Sequence, residues 1–97
     1  MILGSLHARL YVRESRTLKD KRQVVRSILD RLRSGFNVSA AEVASHDDVK
    51  VAEIGVAIVG FETAAVQNVL QQITEALRKH PIAEYLGGSF SVESQKE

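Results

Sequence analysis

Ile2-Leu3-Gly4-Ser5-Leu6-His7-Ala8-Arg9-Leu10-Tyr11-Val12 alternates residue by residue. Ile2, Gly4, Leu6, Ala8, Leu10 and Val12 fall on one side. Leu3, Ser5, His7, Arg9, Tyr11 and Arg13 fall on the other. A period of two over this length reads as a β-strand with one firmly apolar face. That face needs a cover, and the sequence that follows supplies one.

Glu14-Ser15-Arg16-Thr17 breaks the alternation. Thr17 is placed to cap a helix, with Asp20 at the third helical position in a capping-box arrangement. Leu18, Val25, Ile28, Leu29, Leu32 and Phe36 then recur mostly at three- and four-residue steps, the mark of an amphipathic helix. Gly35 stands where a left-handed residue would end it. Val38 to Ser45 reads as a second strand, with a bulge expected at Ala40-Ala41. Ser45-His46-Asp47-Asp48 is turn-forming. Val49 to Val59 is rich in β-branched residues and nearly continuous in apolar character, which predicts a central third strand.

Thr63 is expected to cap a second helix whose apolar stripe is Val66, Val69, Leu70, Ile73 and Leu77, with Pro81 as its stop. A last strand carries Phe90 and Val92 between Ser89, Ser91 and Glu93, and the tail Ser94-Gln95-Lys96-Glu97 is expected to fray. Short connections and right-handed crossovers turn this order into a single α+β domain over residues 1–97. It is a ferredoxin-like βαββαβ with an antiparallel four-stranded sheet, strands one and three central and both helices on one face.

Composition bounds the chemistry. With 97 residues, 44% hydrophobic and 26% charged, the chain suits one globular domain. It has no cysteine, so disulfides, thiolate metal sites and cysteine nucleophiles are excluded. No apolar run reaches the length of a membrane helix. Met1 to His7 lacks the charged and apolar regions of a signal peptide, so the cytoplasm is the expected compartment and no membrane partner is expected. The net charge of +1 conceals a split. Residues 1–36 hold nine Lys/Arg against three acids, and residues 37–97 hold four against nine.

Several short stretches resemble one family in order and spacing. They are the opening Met1-Ile2-Leu3-Gly4, the helix start Leu18-Lys19-x-Lys21-Arg22, and Phe36-Asn37-Val38-Ser39-Ala40-Ala41-Glu42-Val43. His80-Pro81 and Ala83-Glu84 also match. Together they resemble the YlxP-like proteins, a small bacterial family of unknown function. The resemblance implies a ferredoxin-like fold and no activity. Through the translation and ribosome-maturation genes that often neighbour its members, it also hints at RNA-linked work. Where such relatives often carry an aromatic residue after the turn, commonly tryptophan, this chain has Val49-Lys50-Val51.

Two surfaces are candidate sites. At about 100° per residue, Lys19, Arg22, Arg26 and Arg33 lie within roughly 60° of one another on the first helix. Lys21 falls under the apolar stripe, with a stem long enough for its head to reach water. Such a row suits phosphates, and it equally suits an ordinary solvated face. The outer sheet face, with Leu3, His7, Arg9, Tyr11, Gly55, Ala57 and Val59, offers only Tyr11 as a stacking platform, so self-association into a dimer fits it better than base stacking.

His7, His46 and His80 have no metal-ligand spacing, and no metal or other cofactor is expected. His46 with Asp47 and Asp48 reads as a turn, and His80 as a partner for the second helix's C-terminus. Arg16 and Asn37 match an acylphosphatase-type cradle by residue type only, without its glycine-rich loop. The expected class is therefore non-enzymatic. It is either an RNA- or ribosome-associated module using the basic helix, or a homodimeric protein-interaction module without nucleic-acid affinity.

Overall fold

The computed structural model describes residues 1–96. The elements are β1 (Ile2–Val12), α1 (Leu18–Gly35), β2 (Ser39–Ala44), β3 (Val51–Gly60), α2 (Thr63–Arg78) and β4 (Ala83–Ser94). The sheet order is β2-β3-β1-β4 with every neighbouring pair antiparallel, so the expected ferredoxin-like α+β fold, with β1 and β3 central, is the one observed.

The alternation of β1 decides which way the sheet faces. Ile2, Leu6, Ala8, Leu10 and Val12 are all buried, and they share one cluster with Val25, Ile28, Leu29 and Leu32 of α1 and Val66, Leu70, Ile73 and Leu77 of α2. Both helices therefore cover the same face, and each large aliphatic side chain buried there contributes about 1.5–3 kcal/mol. Among the described residues no element covers the opposite face.

The α1 cap forms as its residues dictate. Thr17 Oγ1 accepts from the Asp20 N–H at 3.1 Å, and Asp20 Oδ2 accepts from the Thr17 N–H at 3.2 Å.

Other local expectations are corrected. Gly35 is not left-handed: the helix runs through it and ends on an extended Phe36, whose N–H donates to the Leu32 carbonyl at 3.0 Å. Thr63 is the first residue of α2 rather than its cap, and Glu62 at the cap position makes no side-chain capping bond. α2 ends at Arg78, ahead of Pro81; the His80 N–H donates to the Leu77 carbonyl at 3.2 Å, while its side chain serves the next strand. Its Nδ1 accepts from the Ile82 and Ala83 N–H groups at 3.2 and 3.0 Å.

The strands shift as well. The β2 bulge lies at Val43, between Glu42 and Ala44, not at Ala40-Ala41. β3 starts at Val51 because Asp48 Oδ1 takes the Lys50 and Val51 N–H groups, each at 2.8 Å, into the turn. β4 is longer than its apolar residues suggest and runs through Gly87-Gly88. Its register on β1 shifts between Arg9 and Leu10, where Leu86 is the extra residue and Gly87 has φ 151°. Of the expected frayed tail, Ser94 belongs to β4 and the Gln95 N–H donates to the Met1 carbonyl at 2.8 Å. Glu97 lies outside the described residues.

Candidate functional site

The basic row divides by what each head group touches. Lys19, Arg22 and Arg26 are exposed, and among the described residues none of them is ion-paired. They span about 10 Å of helix axis, the rise of about three phosphates along one nucleic-acid strand. Asp20, the nearest acid in sequence to Lys19 and Arg22, is occupied by the cap, and Asp30, the nearest to Arg26, lies 3.8 Å from Arg33 Nη1. The Arg16 and Thr17 N–H groups and the Thr17 hydroxyl hold the Asp20 carboxyl below the usual range, the Arg16 bond contributing most.

Arg33 is tied down instead. Its Nη2 donates to the Ala40 carbonyl at 2.6 Å, fastening α1 to β2, and its Nη1 lies 3.8 Å from Asp30.

Lys21 corrects the expectation that its head reaches water. It is 0% exposed. Its Nζ donates to the carbonyls of Ser45 at 2.6 Å and Val51 at 3.0 Å, and lies 3.3 Å from Glu42 Oε2. Ser45 has φ 60°, a left-handed conformation that costs a non-glycine residue about 1 kcal/mol. The Lys21 ammonium therefore clamps the β2–β3 turn and is unavailable to a polyanion.

The open sheet face is arranged in rows set by strand register. Leu3 pairs with Val59. The next row joins Ser39, Ala57, Ser5 and Ser91, and the next Ala41, Gly55, His7 and Ser89. Small side chains in these last two rows leave a shallow trough of about 430 Å³ across the sheet. Val43 folds over Gly55 from the bulge: a Cβ on Gly55 would lie 2.6 Å from Val43 Cγ1. Leu3, Val43 and Val59 stand exposed around the trough at 39%, 50% and 62%.

At one end of the trough, His7 Nε2 is 2.9 Å from Glu53 Oε1, Arg9 Nε is 4.0 Å from the same oxygen, and the Ser45 hydroxyl donates to Glu53 Oε2. The Ser45 hydroxyl, followed by His7, keeps the Glu53 carboxyl below the usual range. The carboxylate stands between serine and histidine, so the imidazole has no access to the hydroxyl proton. This order is the reverse of a nucleophile relay. Tyr11 is half-buried, and the Arg13 guanidinium sits over its ring at 5.3 Å, covering one face of that platform.

The remaining candidates are dispersed. Arg16 and Asn37 flank opposite ends of α1, about 27 Å of helix apart. His46 Nε2 faces the Glu42 carbonyl at 3.2 Å. Among the described residues no group of three or more His, Asp or Glu is placed to hold a metal ion, and no helix is long and apolar enough to cross a membrane. The sequence reading missed Val43, Glu42 and Glu53 as site residues. The bulge places Val43, and the packing of α1 on β2 brings Glu42 to Lys21, neither of which follows from a local period; Glu53 shares the outer face of β3 with Gly55, Ala57 and Val59, as strand alternation predicts.

The chain is 26% identical over 80 residues to the uncharacterised protein YlxP of Bacillus subtilis (strain 168), covering 82% of this chain and 87% of that one. The family profile of DUF503, described as a protein of unknown function, matches residues 3–88. The chain therefore belongs to the DUF503 family.

Proposed function

We propose that this protein is a cytoplasmic, non-enzymatic binding module that engages RNA or the ribosome through the solvent face of α1. The observation that carries this reading is the row Lys19, Arg22 and Arg26, exposed, free of ion pairs among the described residues, and spaced along one helix face. Each phosphate neutralised releases condensed counterions, so the affinity should depend steeply on salt. The test is fluorescence anisotropy with a labelled ribosomal RNA hairpin between about 50 and 200 mM salt. Wild-type protein should bind with a salt slope that flattens by about one unit for each of the three cations replaced by glutamine. Negligible wild-type affinity, or an unchanged slope in the triple variant, removes the reading.

A second reading, self-association through the open sheet face, is favoured by the exposed Leu3, Val43 and Val59 around a floor of small residues. Capture from lysate with and without RNase separates the two. Ribosomal RNA lost on RNase treatment supports the first reading, and recovery of the protein's own second copy regardless of RNase supports the second.

A further inference from the structure

We infer that the cleft at the end of the β1–β4 pair, between Arg13, Arg78 and His80, is an oxyanion site that takes a phosphate group. It is separate from the basic row of α1 and does not depend on what that row binds. The cleft holds about 540 Å³ and is lined by Arg13, Arg78 and the segment from His80 to Tyr85 that joins α2 to β4.

Two tyrosines bring the arginines to the cleft from opposite faces of the sheet. Tyr11 lies on the open face, and the Arg13 guanidinium sits 5.3 Å from its ring centroid. Tyr85 pairs with Leu10 and packs on the helix-covered side, where the Arg78 guanidinium sits 5.2 Å from its ring centroid. A ring under a guanidinium fixes its plane and leaves its N–H edges free to donate. Arg78 has no ion pair among the described residues. Arg13 has Glu84 at 3.5 Å, an exposed pair weak enough for an incoming anion to displace.

His80 supplies a third donor. Its Nδ1 accepts from the Ile82 and Ala83 N–H groups, and burial, followed by the Arg31 charge, keeps the ring neutral. A neutral imidazole that accepts at Nδ1 carries its proton on Nε2, and that N–H has no partner among the described residues. The carbonyls of Glu75 and Leu77 at the α2 C-terminus already accept from the Lys79 and His80 N–H groups, which reduces their repulsion of an anion. Glu84 is the only carboxylate lining the cleft. Donors arriving from both sheet faces and from the connecting segment suit the tetrahedral oxygens of a phosphate better than the planar pair of a carboxylate. The volume also leaves room for the group to which the phosphate is bonded.

Nuclear magnetic resonance of isotope-labelled protein, titrated with inorganic phosphate at neutral pH and constant ionic strength, tests the site. The amide signals of Ile82 and Ala83 and the ring signals of His80 should shift together and saturate in the millimolar range. Sodium chloride at the same ionic strength should leave them in place. Arg78→Gln should weaken the affinity about tenfold, and Arg13→Gln should weaken it as well, each with the wild-type circular-dichroism spectrum. Replacing Lys19, Arg22 and Arg26 together by glutamine should leave the phosphate affinity unchanged. A ribose phosphate, and an RNA hairpin with and without a terminal phosphate, then separate the two sources of the group. Tighter binding of the ribose phosphate than of inorganic phosphate supports a small-molecule source, and preference for the phosphorylated hairpin supports an RNA end. Shifts that fail to saturate, that chloride reproduces, or that both arginine variants leave unchanged overturn the site.

Discussion

The Nζ of Lys21 lies 3.3 Å from the Glu42 carboxylate, wholly withdrawn from water, on the helix-covered side of an edge strand. The same ammonium holds the carbonyls of Ser45 and Val51, so one cation joins the first turn of α1 to both arms of the β2–β3 hairpin. Lys21→Met would leave Glu42, only 14% exposed, without its counter-charge and two carbonyls without their donor. The expected loss is about 3 kcal/mol, toward the lower limit for breaking a buried pair because Glu42 keeps some solvent contact. Urea denaturation measures it. A loss below about 1 kcal/mol would show that the pair acts as a surface pair.

The exposed cations of α1 should behave in the opposite way. Lys19 and Arg22 lie in the first turns of the helix, where the macrodipole is already positive. Replacing Lys19, Arg22 and Arg26 together by glutamine should leave the fold intact. It should also raise stability by a few tenths of a kcal/mol in all at low salt, most of it from Lys19 in the first turn. A clear fall in thermal midpoint would mean that their stems are needed to cover the core edge.

Two glycines should respond with opposite signs. Gly35 is helical, and a Cβ there meets nothing within 4 Å, so Gly35→Ala should stabilise by about 0.5 kcal/mol. At Gly88 a Cβ would lie 2.7 Å from the His7 carbonyl oxygen and 2.6 Å from the Tyr85 hydroxyl. The carbonyl belongs to the central strand and cannot yield, so Gly88→Ala should cost about 1–3 kcal/mol. Destabilisation by Gly35→Ala would restore a left-handed helix end.

Burial holds the His80 imidazole below its ordinary value near 6.5, in its neutral form. As pH falls through 6.5, the unfolded chain takes up the proton first. Stability therefore declines from there down to the folded value and levels off below it. His80→Asn, whose side-chain oxygen can accept from the Ile82 and Ala83 N–H groups, should flatten that limb in urea midpoints measured from about pH 7.5 to about pH 5. Asp20, Asp48 and Glu53 all have lowered values. Their stabilisation is present above the ordinary carboxylate range and is lost only as pH falls through their folded values, in a separate acid limb. A pH limb unchanged by His80→Asn would assign the decline to other groups.

Much of the fold can be read from local patterns. The β1 alternation, the Thr17–Asp20 cap and the two helical stripes each report a geometry that neighbouring residues set among themselves, and each stands where expected. β4 was less legible, because Leu86-Gly87-Gly88-Ser89 has little strand propensity of its own. Its extended form comes from pairing with β1. Of the candidate site, the row Lys19, Arg22 and Arg26 and the outward set Leu3, His7 and Ala57 were legible. Helical and strand periods alone assign which way such side chains point.

The order of elements, the sheet face that must be covered and the lack of cysteine chemistry follow from the residues and their local periods. The tertiary structure alone decided which charges are free. Lys21 and Lys19 are two residues apart on the same basic turn, yet one is buried against a hairpin reached through 24 residues of chain and the other faces water. It also brought Val43 over Gly55 through a bulge. The physical reason is that periodicity fixes a side chain's direction relative to its own element. Whether that direction ends in water, in carbonyl oxygens or in a counter-charge depends on which distant backbone packs there.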